Sequence, residues 1–262
     1  MKIRLHSRAR RGVLTAASIA GAIILWQVVA EFVVDNRIIL PSFTDVLFAF
    51  LSPSVLGSLP NDLATSLLHF GVGLGAALLI GIPLGVGMGW FRTMDALADP
   101  IIEVLRPIPP LAWIPFAIIW FGLTTQAAGF VIFVGAFFPI LIGAYTGLRG
   151  VPKTFVEAGK VLGCDTDLEL IRHIALPAAL PSIVSGIRVA MGVGWMCLVA
   201  AEIFGVSRFG IGHKLWVSYS LQNMPNVVVY MLILGFLGIV IDRLFRAYTD
   251  RRLLRWRTGE VV

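Results

Sequence analysis

Charge is scarce in this chain. Asp, Glu, Lys and Arg make up 14% of its 262 residues and hydrophobic residues 58%, where a soluble domain carries roughly 25% charged residues. No long polar segment is present that could fold as a separate water-facing domain. Together with a mean hydropathy of +0.89, this makes lipid the solvent for most of the protein. Cysteine is scarcer still. Cys164 falls in a polar loop and Cys197 inside an apolar run, which argues against a disulfide between them, and no C-x-x-C or Cys/His cluster offers a metal site. G-x-x-x-x-G-K-[ST] is missing too; the nearest glycine–lysine stretch, Gly210 to Lys214, has the wrong spacing to cradle ATP phosphates. The apolar runs contain no paired aspartates, no Ser/His dyad and no H-E-x-x-H, so an intramembrane enzyme has no visible machinery. Nor does the net charge of +6, with a pI near 9.8, call for nucleic acid, because in a membrane protein such an excess reflects Lys and Arg crowding the cytoplasmic loops.

What the sequence has instead is long apolar runs. Six reach spanning character, at residues 13–33, 66–89, 108–122, 127–148, 178–204 and 226–245, since roughly 20 apolar residues cross the hydrocarbon as a helix. The third is shorter and broken by prolines. Unbroken runs of this length argue against a β-barrel, and the 27 glycines suit helices that pack closely in lipid. The expected fold class is an all-α integral membrane protein with about six transmembrane helices, in a single domain over residues 1–262. All but four of the 21 Lys and Arg residues fall on one side. They are Lys2, Arg4, Arg8, Arg10 and Arg11 at the start, Arg92 and Arg106 after the second run, Arg149, Lys153, Lys160 and Arg172 after the fourth, and the tail arginines from Arg243 to Arg257. The other loops hold Arg37, Arg208 and Lys214, with Arg188 inside the fifth run. The positive-inside rule then places both termini in the cytoplasm. The first run is longer than a signal-peptide core, and Val28-Val29-Ala30 is a weak cleavage site, so an uncleaved first span is expected.

The longest cytoplasmic loop, residues 149–177, carries its own helix signals. Thr154 with Glu157 fits a capping box, and Gly163 is placed to end the helix in a left-handed turn. Thr166 with Glu169 starts a second helix, expected to end near Ile174 before Pro177. Phe155, Ala158, Val161 and Leu162 form an apolar face on the first helix. Such a loop serves either to dock a partner or to lie on the membrane surface.

Polar groups within spans are costly and default to functional candidates. Arg188 and Glu202 lie on the fifth run within about 40° of each other at 100° per residue, with Ser182, Ser185 and Met196 near the same stripe. Arg188 suits an anionic solute or a snorkelling arginine; Glu202 suits an external gate or a loop contact. Gln126, Gln222, Asn223 and His69 are weaker candidates, and Trp113, Trp120 and Trp216 suit membrane interfaces. Pro107, Pro109, Pro110 and Pro115 deny the third run a regular helix, which points to a translocation path, a hinge or ordinary packing kinks.

Glu157-Ala158-Gly159, then Gly163, then Ile174-Ala175-Leu176-Pro177 resembles the EAA motif of the membrane permeases of binding-protein-dependent ABC importers. LPSFTDVL at 40–47, GIPLGVGMG at 81–89, LRPIPPLAWIPFAIIWFG at 105–122 and DRLFRAYTDRRLLRWR at 242–257 are similar to the nitrate/sulfonate/taurine/bicarbonate branch of these permeases. Two departures stand out: Gly159 replaces the usual alanine, which weakens a helix, and the stretch between Gly163 and Leu176-Pro177 is about one residue longer than common. The resemblance implies the type I ABC importer permease fold in a prokaryotic inner membrane, and import of a small, anionic solute such as a sulfonate, nitrate or bicarbonate. It also implies two ATP-binding subunits, a second permease copy (a homodimer, or two different halves) and an external solute-binding protein. ATP and Mg would then be bound by the partner ATPase, with no cofactor in this chain. Glu157, Ala158, Gly159, Gly163, Leu176 and Pro177 match the ATPase-coupling motif. Arg188, Glu202, Ser185, Met196, Pro109 and Pro110 are the candidates for the translocation path. A channel or scaffold with no ATPase is the competing expectation.

Overall fold

A computed structural model describes residues 2–253, with side chains described for 14–251. The side chains of Lys2, Arg4, Arg8, Arg10, Arg11 and Arg252, together with Arg255 and Arg257, lie outside the described residues. Every regular element among the described residues is helical. In order these are α1 (Lys2–Val28) with a π-helical turn at Val29–Val34, α2 (Phe43–Phe50), α3 (Pro53–Trp90), α4 (Arg92–Leu105), a 3₁₀ turn at Pro110–Trp113 leading into α5 (Ile114–Phe121), and α6 (Thr125–Arg149). Then follow α7 (Lys153–Val161), α8 (Asp167–Leu170), a π-helical turn at Ile171–Ala175, α9 (Leu176–Ile203), α10 (Ile211–Ser220) and α11 (Met224–Tyr248), with a last π-helical turn at Thr249–Leu253.

The chain divides into two compact units, Met1–Pro60 with Lys214–Ile233 and Asn61–His213 with Leu234–Val262. In the first, the Trp26 indole N–H donates to the Pro41 carbonyl at 3.0 Å and its ring meets Phe43 edge-on at 5.8 Å. Ser42 caps α2 by accepting from the Asp45 N–H, the usual service of a serine at that position.

The second unit is built around α6, whose buried residues run from Ala127 to Leu148. Small residues make this possible. On α3, Gly73, Ala77, Gly81, Gly85 and Gly89 recur every fourth residue along one stripe. A Cβ on Gly85 would stand 2.7 Å from that of Ala144, and one on Gly89 2.6 Å from that of Leu148. Helices α6 and α9 touch at Gly143 and Gly186, where an added Cβ would meet the opposing Cα at 2.8 Å. Backbones this close gain dispersion contacts that larger residues would prevent, which drives association where lipid removes the hydrophobic effect.

Five helices among the described residues are long and apolar enough to cross a bilayer: Leu14–Val34, Pro53–Trp90, Thr125–Arg149, Asp167–Ile203 and Met224–Arg251. The expected third span is instead a bent pair, Arg92–Leu105 and Pro110–Phe121, meeting at 88°. Pro107, Pro109 and Pro110 lack backbone donors there, and Pro110 holds Pro109 out of the helical region at φ −57°, ψ 134°. The second span, read as 66–89, begins at Pro53 and has 38 residues, about 57 Å at 1.5 Å per residue. Hydropathy marks only the apolar part of a helix; the stretch before it, with Asn61, Asp62 and Thr65, is helical all the same.

Candidate functional site

The loop after α6 folds as helix–glycine–helix, with changes from expectation. α7 is preceded by Pro152 without a side-chain cap, so Thr154 and Glu157 form no capping box and Glu157 stands exposed. Pro152 itself occupies the N-cap position, its carbonyl accepting from the Phe155 N–H at 3.0 Å, which leaves Thr154 inside the helix. Gly163 does adopt a left-handed φ of +97°. Its N–H reaches the Lys160 carbonyl and the Cys164 N–H reaches that of Gly159, a Schellman closure that glycine enters without strain. Thr166 and Glu169 form the full reciprocal box.

The second helix does not stop near Ile174. It passes through the Ile171–Ala175 π turn, in which the Leu176 N–H donates to the Ile171 carbonyl, and continues as α9. A π turn absorbs one additional residue, the amount by which this stretch exceeds the resembled motif. The wider turn also gives the Pro177 ring room near the start of α9.

Gly159 is buried because α7 lies flat on the π segment: a Cβ there would stand 2.9 Å from Ile174 Cγ1 and 3.1 Å from Leu170 Cδ2. The glycine that lowers helix propensity thus permits the packing. Ala158, Gly159 and Pro177 come together around an apolar hollow of about 520 Å³. Leu176 is half-buried against the cluster of Ala144, Leu148 and Ala179, whereas Gly163 faces open space. Phe155, Val161 and Leu162 are 53%, 88% and 82% exposed, so the apolar face of α7 points away from the protein.

The polar stripe of α9 is divided. Ser182 and Ser185 line a groove of about 500 Å³ with Arg106, Pro110 and Thr146. The Ser182 hydroxyl donates to the Gly143 carbonyl at 3.0 Å. Arg106 has no acidic partner among the described residues and was not singled out by the sequence; its only signal was its place beside the proline cluster. Pro109 sits at the bend but does not line the groove, whereas Pro110 does. Arg188 and Met196 open on a different groove, toward α11. There the Arg188 guanidinium pairs with Asp242 at 3.1 Å, and Asp242 also meets Arg246 at 3.2 Å.

Glu202 lines neither groove. It is 0% exposed and receives three donors: the Ser66 hydroxyl at 2.8 Å, His69 Nδ1 at 2.9 Å and the Gly212 N–H at 2.8 Å. Ser66 Oγ in turn accepts from the Ile211 N–H at 2.9 Å. Two backbone donors at the start of α10 are thereby capped by α3 and α9. Gly210, at φ +118°, has no room for a Cβ beside the Glu202 carboxylate. A carboxylate sealed this way has no surface to offer a passing solute; of its two expected roles, the loop contact describes its position. His69, the weaker candidate, is its partner. Gln126, Gln222 and Asn223 are exposed. Trp113 and Trp120 pack edge-on against Phe130 at 6.2 and 5.6 Å.

A family described as the binding-protein-dependent transport system inner membrane component matches residues 77–254. The chain belongs to this family. Its members are multi-pass transport subunits of ABC importers rather than enzymes, with ATP hydrolysis carried by a separate chain and substrate supplied through a binding partner. A Methanocaldococcus jannaschii protein named as an ABC transporter permease is 41% identical over 240 residues, covering 90% of this chain and 89% of its own. The bicarbonate transport system permease protein CmpB of Synechococcus elongatus is 34% identical, covering 92% and 89%. The taurine transport system permease protein TauC of Escherichia coli is 32% identical, covering 98% and 97%. In fold, the chain is similar to an inward-facing structure of the MetNI methionine ABC transporter, with a TM-score of 0.54 at 23% identity over 74% of this chain and 99% of that one.

Proposed function

We propose that this permease carries a compact oxyanion through the groove between α6 and α9, with Arg106 as the cation that meets it. The observation that carries the reading is the Arg106 guanidinium, without an acidic partner among the described residues, sharing a groove with Ser182, Ser185, Thr146 and Pro110. A guanidinium binds carboxylate-like and sulfonate-like oxygens in a fork, and nearby hydroxyls add donors. Bicarbonate and taurine, the solutes named for CmpB and TauC, both present such oxygens. Broken backbone at the proline bend suits a water-lined path, where its free carbonyls find partners.

In this reading residues 1–262 work as one permease domain, with both termini in the cytoplasm by the distribution of Lys and Arg. Two copies pair as a homodimer, two ATP-binding subunits dock on the exposed apolar face of α7 and its hollow, and an external binding protein delivers the solute. Glu157, Ala158, Gly159, Gly163, Leu176 and Pro177 form the coupling surface. The chain binds no cofactor itself; ATP and Mg belong to the ATPase.

The test is uptake by the complete importer in liposomes, with labelled taurine and bicarbonate as solutes. Arg106→Gln is expected to lower uptake at least tenfold and Arg106→Lys to restore part of it. Uptake by Arg106→Gln at the wild-type rate would remove Arg106 from the path.

A further inference from the structure

The groove shared by α9 and α11 is left over from this path, and its chemistry differs from a solute site. It measures about 870 Å³ and is polarised along its length. The two helices run antiparallel here, since Arg188 meets Asp242 at one end and Trp195 lies against Gly238 further along. The far end is apolar, walled by Trp195, Met196, Leu234 and Ile239. Among the described residues no side chain fills it: a Cβ on Gly192 of α9 or on Gly235 of α11 would meet nothing within 4 Å. The near end is charged. Asp242 is shared by Arg188 and Arg246, and Arg243 has no acidic partner among the described residues. With Asp250 also on this rim, three arginines stand against two aspartates and one positive charge is uncompensated.

A small oxyanion gains nothing from the apolar length, and an apolar ligand leaves the rim charge unbalanced. An amphiphile with one negative charge satisfies both ends. We infer that this groove binds an anionic glycerophospholipid, its phosphodiester beside Arg243 and Arg246 and an acyl chain lying along Gly192 and Gly235. The apolar stretch from Asp242 back to Leu234 is about 12 Å of helix, enough for the upper half of such a chain. Basic pockets between membrane helices hold lipid phosphates in this way. Arg188 and Met196 then belong to a lipid site and not to the solute path.

The experiment uses the full-length permease with its ATPase, delipidated in detergent and re-exposed to mixed micelles of phosphatidylglycerol or phosphatidylcholine, with retained lipid counted by native mass spectrometry. Phosphatidylglycerol is expected to be retained several-fold over phosphatidylcholine. Arg243→Gln is expected to lower its retention about fivefold, and Gly235→Leu, which fills the groove without touching charge, at least tenfold. Equal retention of the two lipids, or retention unchanged by both substitutions, overturns the inference. Displacement of the lipid by glycerol 3-phosphate at matched concentration overturns it in favour of a free-phosphate site. Gly235→Leu that shifts the oligomeric state with lipid retention intact overturns it in favour of a second copy. Should Gly235→Leu fail to fold, the lipid preference and Arg243→Gln decide alone. Uptake does not enter the readout, so the outcome is independent of the Arg106 path.

Discussion

One helix carries two charged residues with opposite fates. At the end of α9, Glu202 is sealed from solvent and met by donors from α3 and the start of α10. Toward its other end, Arg188 faces Asp242 with both side chains more than 40% exposed. The difference teaches that a charge in a membrane protein is interpreted by what surrounds it, not by its depth in an apolar run. A buried carboxylate without donors costs several kcal/mol, so the chain devotes Ser66, His69, Gly210 and Gly212 to accommodating one. The Arg188–Asp242 pair needs no such shell, because each group has the other as a partner and Asp242 also meets Arg246.

The comparison can be broken at four points. Glu202→Ala strands the Ser66 hydroxyl, His69 and the Gly212 N–H together, and a loss of about 3–5 kcal/mol is expected, read as a large drop in thermal midpoint of the purified permease. Were the midpoint to hold, the sealed cluster would not be the anchor described. Gly210→Ala places a Cβ at a φ that L residues avoid and against the same carboxylate; about 2–3 kcal/mol should be lost by the same assay. A loss as small as that of an exposed turn glycine would show that the segment simply shifts.

Gly163→Val supplies that control. Its φ of +97° resists a β-branched residue, yet nothing lies within 4 Å, so about 1–2 kcal/mol of strain is expected without overlap. If the loop couples to the ATPase as proposed, co-purification of the ATPase should fall while the permease still inserts; undiminished co-purification would detach Gly163 from coupling. The smallest effect belongs to Arg188→Gln, below about 1 kcal/mol in stability, because Asp242 keeps Arg246 as a partner one turn away. A double-mutant cycle with Asp242→Asn measures it, and a coupling above 2 kcal/mol would mean the pair is buried in the assembled importer.

Much of this was legible in the sequence. Three of the six runs, 127–148, 178–204 and 226–245, emerge as helices within a few residues of their expected bounds, because twenty apolar residues in lipid have few alternatives to a helix. Thr166 and Glu169 formed the box their spacing foretold, and Gly163 took its left-handed turn, since both signals are local. Thr154 failed as a cap because Pro152 took the N-cap position two residues earlier, a competition between two local signals that composition does not rank. The extent of α3 was hidden because helix continuity and hydropathy are different properties.

The sequence by itself determined that the chain is helical, that it lives in lipid, where its proline break falls, and that residues 149–177 form a structured loop. Those follow from transfer free energy and backbone sterics, which act over a turn or two of chain. Only the tertiary structure decided that Arg188 and Ser185, less than a turn apart on α9, open on different grooves, that Arg106 lines the same groove as Ser185, and that His69, far away in sequence, holds Glu202. Helical periodicity fixes which residues share a face, but not which neighbour covers that face. That depends on where Gly143 and Gly186 let α6 and α9 touch, a packing choice made between segments distant in the chain.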